Sequence, residues 1–363
     1  MREAKAAFQD FIDSGFDKSS ESWLIYKAIR NKKNNAIRDA KRAALEGILH
    51  DNSLTQWEKI KIFKGTNTDQ ENKIDELEID GTKCTDNLEI ANGLNQYFST
   101  IGIKLNDEAS IASIIQNQQS NSYEYKTVFS YPKFIFQEVS NVEVSKVLHS
   151  LKSRKKGGLN QIPAFIYKIL EPVILNPLTH IINRSLSTHK FPDVWKQALT
   201  IPIFKSGAKN LASNYRPISL LPILSKVLEK IVSQQIRDYV EANALISSRQ
   251  FGFRTGTSTD QILLQLVNKI RHLLTLEKFV TLAALDIKKA FDCVHHGLLI
   301  EKLTQRFNFE QSAANFVKDY LTGRSQVMKA NGTFSKLQQI LTGVPQGSVL
   351  GPLLFIMFIN DLT

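Results

Sequence analysis

The residues with the clearest potential for chemistry lie in the stretch LAALDIKKAFD, residues 282–292. An apolar run, residues 279–285, ends at Asp286 and leads through a turn into a predicted helix over residues 293–303. A carboxylate at the end of a buried strand is a common ligand for a metal or substrate, although an Asp there can equally satisfy the amides of a turn. Both roles stay open for Asp286 on this pattern, whereas Asp292 is predicted to be the N-cap of the helix.

A second candidate is the stretch GVPQGSVLGP, residues 343–352, which contains Gln346. Glycines beside an amide side chain allow the backbone and Gln346 to approach a flat ligand such as a base or a sugar. The apolar run at 349–359 is too short to span a bilayer comfortably and predicts a buried helix or a strand–helix junction; a helix there would hold the loop. A Gly- and Pro-rich turn before a buried helix is also an ordinary structural feature, so the pattern leaves both interpretations open.

Two cations form the third candidate. Short β-type runs on either side of a glycine-bearing loop predict a hairpin between about residues 200 and 220. Lys205 and Arg216 on this hairpin can reach one phosphate cluster, or they can be two separate surface cations.

The elements that must position these residues follow from apolar periodicity. Residues 223–240 place an apolar stripe on one helical face. The charged residues expected to face away from it are Lys226, Glu229, Lys230, Arg237 and Asp238. Ser258 is the predicted N-cap of a second helix. The predicted buried face of that helix consists of Ile262, Leu263, Leu266, Val267, Ile270, Leu273 and Leu274. Residues 279–285 are then expected to form a central strand.

The charge of the chain favours a polyanionic partner. The 363 residues carry a net charge of +11, although residues 67–89 hold eight acidic residues and two lysines, so the positive charge is concentrated elsewhere. A basic helical segment at residues 1–64 is either a solvated face or a nucleic-acid-binding surface. Its candidate contacts are Lys27, Arg30, Lys32, Lys33, Arg38, Lys41 and Arg42.

Cysteine usage and the N-terminus bear on the compartment. Cys84 and Cys293 are too few for a disulfide scaffold or a zinc cluster, which favours a reducing compartment. No apolar run of signal-peptide length follows Met1, so we expect an intracellular protein of the cytoplasm or nucleus that is neither secreted nor bound to a membrane.

Four motifs in this order resemble the reverse transcriptase of non-LTR retrotransposons of the jockey-like or LINE-like class. They are NYRPIS from Asn214, QFGFR from Gln250 with Ser258 and Thr259 behind it, LDIKKAFD from Leu285, and GVPQGSVLGP from Gly343. Each motif is weak or moderate alone, and the four in order are highly specific. One departure is Asn160, where the family commonly carries Asp.

The resemblance implies an α+β fold, with the fingers and a partial palm of a right-hand polymerase after a helical N-terminal region. By the same resemblance Asp286 binds the catalytic magnesium ions, two in the complete family site, with the backbone carbonyl of Ile287. Lys205 and Arg216 hold the triphosphate, Phe291 lies under the sugar and rejects a 2′-hydroxyl, and Gln346 and Gly347 line the nucleotide pocket.

The implied partners are an RNA template, a DNA primer or target, and deoxynucleoside triphosphates. We expect a basic segment at 1–64 between endonuclease and polymerase, a linker with a short helix at 65–130, an N-terminal extension at 131–190, and the reverse transcriptase domain at 191–363. The family's remaining metal-binding carboxylates belong to an aromatic-Ala-Asp-Asp hairpin that does not occur in this sequence. Two hypotheses follow: an RNA-directed DNA polymerase cut before that motif and inactive alone, or a catalytically dead remnant that binds nucleic acid non-specifically.

Overall fold

The computed structural model describes residues 2–13, 20–50, 73–79, 81–108, 129–153 and 157–362. The chain divides into two compact units, residues 1–72 and 73–363. No helix in these described ranges is long and apolar enough to cross a membrane.

The first unit is a pair of helices, α1 (Arg2–Asp13) and α2 (Glu21–His50). Aromatic rings from both helices pack against one another with centroids 4.9–6.1 Å apart: Phe8, Phe11, Trp23 and Tyr26. The helical prediction for the front of the chain is therefore confirmed over the described parts of residues 1–50, and residues 51–64 lie outside them.

The second unit mixes helices and strands, which confirms the α+β class. Its helices are α3 (Asn87–Glu108), α4 (Asn141–Ser150), α5 (Ala164–Ile169), α6 (Glu171–Thr188), α7 (Ile223–Ala242), α8 (Thr259–Thr275), α9 (His296–Gln305), α10 (Gln311–Leu321) and α11 (Gly351–Phe358). Its strands are β1 (Leu77–Ile79), β2 (Thr82–Cys84), β3 (Gln197–Phe204), β4 (Tyr215–Leu220), β5 (Arg324–Ala330), β6 (Thr333–Phe334) and β7 (Gln338–Ile340).

The main sheet is built around the predicted hairpin. Strands β3 and β4 pair antiparallel, and β3 also pairs in parallel with β5, which in turn carries β6 and β7. The register places Ile203 opposite Arg216, so these two side chains share one face of the hairpin. Strands β1 and β2 form a separate small hairpin.

Helix α3 is attached to this sheet through a buried amide. The Asn95 side chain donates to Ser335 Oγ and to the carbonyl of Lys336, both at 2.8 Å. Its Oδ1 accepts from Gln326 Nε2 at 2.9 Å, and Gln326 Oε1 accepts from the Thr200 hydroxyl at 3.0 Å. Because each buried polar group finds a partner, the network fixes α3 on the sheet without an unsatisfied donor or acceptor.

Helix α7 follows the predicted apolar stripe, but two of its charges are not where the periodicity put them. Lys226 is 5% exposed and Glu229 is 0% exposed, so the prediction that they face away from the core is wrong. On that side of α7, the carboxylate of Glu229 accepts the amides of Val349 and Leu350, which directly precede α11.

The surroundings of α8 also differ from the prediction. Ser258 caps the helix through a capping box with Gln261, as expected. No residue of α8 is buried, so its predicted buried face is wrong. Periodicity reports that a helix is amphipathic, and it does not report which element covers the apolar side.

The predicted central strand at residues 279–285 is not a strand. The segment has no regular secondary structure and is largely exposed, and it pairs with no strand in the described part of the chain. A strand is stabilised by hydrogen bonds to a neighbour, and apolar composition alone does not provide one.

Candidate functional site

The hairpin of β3 and β4 presents the two predicted cations. Lys205 directly follows β3, and its amide donates to the carbonyl of Asn214 at 2.9 Å, which closes the base of the loop. Arg216 is exposed on β4, and its guanidinium forms no hydrogen bond or ion pair with the described residues. Both cations are therefore available to a ligand.

Asp286 directly follows the segment at residues 279–285 and is exposed to solvent. Its carboxylate forms no hydrogen bond or ion pair with the part of the chain that the structure describes, and the neighbouring Ile287 is half exposed. The carboxylate is thus free to accept an external ligand, although no strand positions it as the sequence predicted.

The chain then makes a tight turn rather than entering a helix. Lys289 has a φ of 51°, and its carbonyl accepts the amides of Asp292 at 2.8 Å and Cys293 at 3.2 Å. Helix α9 begins only at His296, and His295 Nδ1 accepts the amide of Leu298 at 3.2 Å as its cap. The predicted helix start and the N-cap role of Asp292 are therefore wrong, because the turn uses the Asp292 amide and directs the carboxyl elsewhere.

The glycine-rich loop is fastened to this turn. The amides of Gly343 and Val344 donate to the carbonyls of Val294 and Phe291 at 2.9 and 2.8 Å, and His296 Nε2 lies 2.8 Å from the Gly343 carbonyl. Gly343 has a φ of 81°, and a Cβ there would lie 2.7 Å from the Phe291 carbonyl oxygen. Only glycine fits this approach of two backbones. The pKa of His296 is lowered, mainly because its imidazole is buried.

The same loop is fastened to the hairpin on its other side. The amide of Ser219 on β4 donates to the carbonyl of Gln346 at 2.7 Å. Gly347 has a φ of 110°, and a Cβ there would lie 2.7 Å from the Ser219 carbonyl oxygen. Gln346 and Gly347 therefore lie directly beside β4, so the structure brings the hairpin, the turn after Asp286 and the loop together.

A cavity of about 40 Å³ lies where these segments meet, which is room for about three water molecules. Its polar lining includes Asp292, Gln346 and Arg324. Burial raises the pKa of Asp292 to about 6, against the opposing attraction of Lys289. Arg324 is 3% exposed; its Nη1 donates to the Tyr320 carbonyl at 2.8 Å, and its Nη2 has no hydrogen-bond partner among the residues that the structure describes.

Lys289 links the turn to α3 and to β4. Its ammonium lies 5.6 and 5.3 Å from the ring centroids of Tyr97 and Phe98, within range of cation–π attraction. The same ammonium is 3.4 Å from the carbonyl oxygen of Tyr215, to which it donates a long hydrogen bond. These contacts hold a cation beside the base of β4.

The cations of this region influence one another. Burial is the main cause that lowers the pKa of Lys289, and the charges of Lys205, Lys288 and Arg216 lower it further, while Asp292 raises it. Cations gathered in this way favour a ligand with several negative charges, such as a triphosphate.

Phe291 lies in the core beneath the loop. Its ring stacks on Phe355 with centroids 4.9 Å apart and meets Phe253 edge-on at 5.8 Å. These contacts hold the ring in place, and its predicted role under a sugar stays a prediction.

The structure describes four of the seven cationic side chains predicted to form a basic face on the first unit. Lys27, Lys32 and Lys33 are exposed on α2, and the Arg30 guanidinium lies 5.9 and 5.7 Å from the ring centroids of Trp23 and Tyr26. The side chains of Arg38, Lys41 and Arg42 lie outside the described ones.

Sequence reasoning missed four members of the site: Lys289, Asp292, Arg324 and Glu229. The paired lysines at 288 and 289 directly after Asp286 were a local signal for the first. Arg324 and Glu229 had no such signal, because only the tertiary structure buries them.

A divalent metal ion is held by several donor side chains or by a few carboxylates together with water and substrate oxygens. The described residues contain no group of three or more His, Cys, Asp or Glu side chains that could hold a metal. A free carboxylate such as Asp286 nevertheless suits Mg²⁺, which is commonly held by one or two carboxylates together with water and substrate phosphates. Asp286 thus fits as one ligand of such an ion.

Comparison with known proteins agrees with this geometry. Residues 203–363 match the family model described as reverse transcriptase (RNA-dependent DNA polymerase). Over 61% of the chain, the sequence is 32% identical to the probable RNA-directed DNA polymerase from transposon BS and 33% identical to the RNA-directed DNA polymerase from mobile element jockey, both of Drosophila melanogaster. Over 47% of the chain it is 27% identical to the Pol polyprotein from the type-1 retrotransposable element R2 of Popillia japonica.

Each of these alignments covers 24% of the relative, so the chain spans about a quarter of the length of the curated relatives it matches. The region matched by the family model begins near the end of β3 and contains β4, the turn after Asp286 and the glycine-rich loop. Residues 203–363 are therefore similar to the reverse transcriptase family, and the sequence resembles the RNA-directed DNA polymerases of jockey-like, non-LTR retrotransposons.

Proposed function

We propose that this chain forms the nucleotide-binding core of an RNA-directed DNA polymerase, which adds deoxynucleotides to a DNA primer on an RNA template. The observation that carries the proposal is the convergence of three segments: the cationic hairpin, the turn after Asp286 and the loop at 343–347. Backbone hydrogen bonds join these segments. The cations therefore lie beside a loop that can approach a flat ligand such as a base or a sugar.

The residues of these segments suit the parts of a nucleotide. Lys205 and Arg216 bind the triphosphate, since guanidinium and ammonium groups form strong charge-assisted hydrogen bonds to phosphate oxygens. Gln346 and Gly347 lie beside the base and sugar, where the absence of a Cβ at Gly347 allows a close approach. Phe291 supports the sugar and excludes a 2′-hydroxyl by its bulk.

Asp286, with the backbone carbonyl of Ile287, would hold Mg²⁺ between the chain and the substrate phosphates. The ion supplies positive charge to the reacting phosphoryl oxygens, the larger part of catalysis in phosphoryl transfer. A pair of ions would need further carboxylates besides Asp286. The chain's own contribution is to orient the triphosphate and neutralise its charge through Lys205 and Arg216.

The nucleic acid is bound through charge. The net charge of +11 and the exposed lysines of α2 favour non-specific contacts with phosphates of template and primer. Free Cys84 and Cys293 are compatible with a reducing compartment, and we place the action of the protein in the cytoplasm or nucleus.

The proposal is tested by titrating the chain with a fluorescent deoxynucleoside triphosphate in the presence of Mg²⁺. We expect K205A and R216A each to raise the Kd about tenfold or more, as loss of a charge-assisted hydrogen bond implies. K146A is the control, because Lys146 is exposed on α4, which packs against α5, α6 and α7. D286N should remove the dependence of binding on Mg²⁺. Equal affinity of K205A, R216A and the unaltered chain would refute the proposed site.

A further inference from the structure

Glu229 is a charge in the middle of the protein interior. It lies on α7, is 0% exposed, and sits on the side of the helix that its sequence pattern marks as polar. A buried carboxylate is costly to desolvate unless hydrogen bonds compensate its charge. Its partners should therefore show what it stabilises.

Those partners are the backbone amides that follow the glycine-rich loop. One carboxylate oxygen accepts the amides of Val349 at 2.7 Å and Leu350 at 3.2 Å, and the other accepts the hydroxyl of Ser225 at 2.9 Å. Val349 and Leu350 directly precede α11, whose N-terminus carries a partial positive charge. The carboxylate thus compensates its burial by holding the end of the loop.

The loop between Gln346 and these amides is short and internally closed. Only Gly347 and Ser348 separate Gln346 from Val349. The Ser348 hydroxyl donates to the carbonyl of Pro345 at 2.8 Å and accepts the amide of Gly351 at 2.9 Å. A displacement of the Val349 backbone therefore also displaces Gln346, because the short, hydrogen-bonded segment between them cannot change its length.

Two other buried groups lie close to Glu229. Burial, and to a lesser degree the charge of Glu229, raises the pKa of Tyr320. The Arg324 guanidinium lies 4.7 Å from the centroid of the Tyr320 ring and also lines the cavity beside Gln346. The charges of Glu229 and Arg324 therefore act on the same tyrosine in opposite directions.

We propose that Glu229 is a positioning residue that sets the orientation of Gln346 for the incoming nucleotide. It acts through the amides of Val349 and Leu350, while Ser219 holds the other side of the loop. The inference rests on the proposed nucleotide site. Glu229 itself touches no substrate and takes no part in the chemical step.

The test compares E229Q with S225A. E229Q retains the size of the side chain and removes its charge; S225A removes a hydrogen bond to the same carboxylate from the same helix and leaves the two loop amides bound. We expect E229Q to speed hydrogen exchange of the amides at 346–351 about tenfold, because a neutral Gln oxygen accepts the loop amides more weakly than a carboxylate does. S225A should leave exchange there unchanged. Equal exchange in E229Q and the unaltered chain overturns the proposal whether or not a nucleotide binds.

A double-mutant cycle separates positioning from a general loss of stability. Affinity for a deoxynucleoside triphosphate with Mg²⁺ is measured at a temperature where all chains are folded, for E229Q, Q346A and the double variant. We expect E229Q to raise the Kd about tenfold alone and to add no further loss in the Q346A background. Additive losses would show that Glu229 does not act through Gln346 and would overturn the proposal.

The design keeps the two proposals distinguishable. Failure of the unaltered chain to bind any nucleotide refutes the proposed function, while the exchange measurement still decides the role of Glu229. If E229Q does not fold, E229D replaces it in both measurements, with the same expected results. E229D retains the charge but has a side chain one methylene shorter, which moves the carboxylate away from the amides.

Discussion

Replacing Asp292 by Asn should stabilise the protein at neutral pH and leave its stability almost unchanged in acid. Burial raises the pKa of the Asp292 carboxyl from 3.8 to about 6, even though Lys289 attracts its charged form. The native state therefore binds a proton more tightly than the unfolded chain does. Stability contributed by this group is fully present below pH 3.8 and is lost as the pH rises through 6.

The size of the effect follows from the two pKa values. The span from 3.8 to about 6 corresponds to about 3 kcal/mol in the free energy of unfolding, by linkage. This figure already includes the opposing attraction of Lys289. Asn has nearly the shape of the protonated carboxyl and carries no charge to desolvate, so D292N should avoid most of that loss above pH 6.

The assay is urea unfolding of the unaltered chain and of D292N at intervals between pH 4 and pH 8. We expect the difference in unfolding free energy to grow by about 2 kcal/mol in favour of D292N across this range, since part of the loss has already occurred at pH 4. D238N, at an exposed position of α7, is the control and should show no such trend. A difference that is constant with pH, or that grows in favour of the unaltered chain, would refute the argument that the carboxyl is buried at a cost.

Three further outcomes are expected. G102A should destabilise the protein by roughly 1–3 kcal/mol in thermal unfolding, because its Cβ would lie 2.1 Å from the Asp292 carbonyl oxygen. G93A in the same helix is the control. Its Cβ would meet only the movable end of a side chain, so it should destabilise the protein less. N95A should lower the unfolding free energy by about 3 kcal/mol in urea, since it leaves several buried polar partners unpaired, and a loss below 0.5 kcal/mol would contradict the network. Binding to single-stranded RNA should weaken steeply with salt, and deleting residues 1–64 should flatten the dependence of log K on log salt; an unchanged slope would remove that segment from the binding surface.

Local signals in the sequence predicted much of the architecture. Ser258 and Gln261 form their capping box because each bonds to backbone within one turn, so neighbouring residues determine the outcome. The hairpin was predicted for the same reason, since short β-type runs on either side of a turn pair with each other. The positions of Lys205 and Arg216 on it followed directly.

Tertiary contacts determine the parts that the sequence did not predict. Asp292 was interpreted as a helix cap because Asp often is one, and the turn at Lys289 and the approach of Gly343 direct its carboxyl to the cavity instead. Glu229 was interpreted as solvent-exposed because charged residues usually are, and amides 120 positions away in the chain bury it. Neither partner can be found from the local spacing of residue types.

The segment at 279–285 shows the same limit for a strand. Its apolar composition is typical of a buried strand, yet pairing depends on a neighbour that the segment does not itself encode. The position of Asp286 beside the hairpin and loop consequently stays a prediction.

Hydrogen exchange of the whole chain, measured by mass spectrometry with and without a deoxynucleoside triphosphate and Mg²⁺, tests the central claim most directly. If the hairpin, the turn after Asp286 and the glycine-rich loop form one nucleotide site, the ligand should protect peptides covering 203–216, 286–293 and 343–349 together. The protection should be lost in R216A and retained in K146A. Protection of only one of these segments, or of none at a saturating nucleotide concentration, would contradict the account.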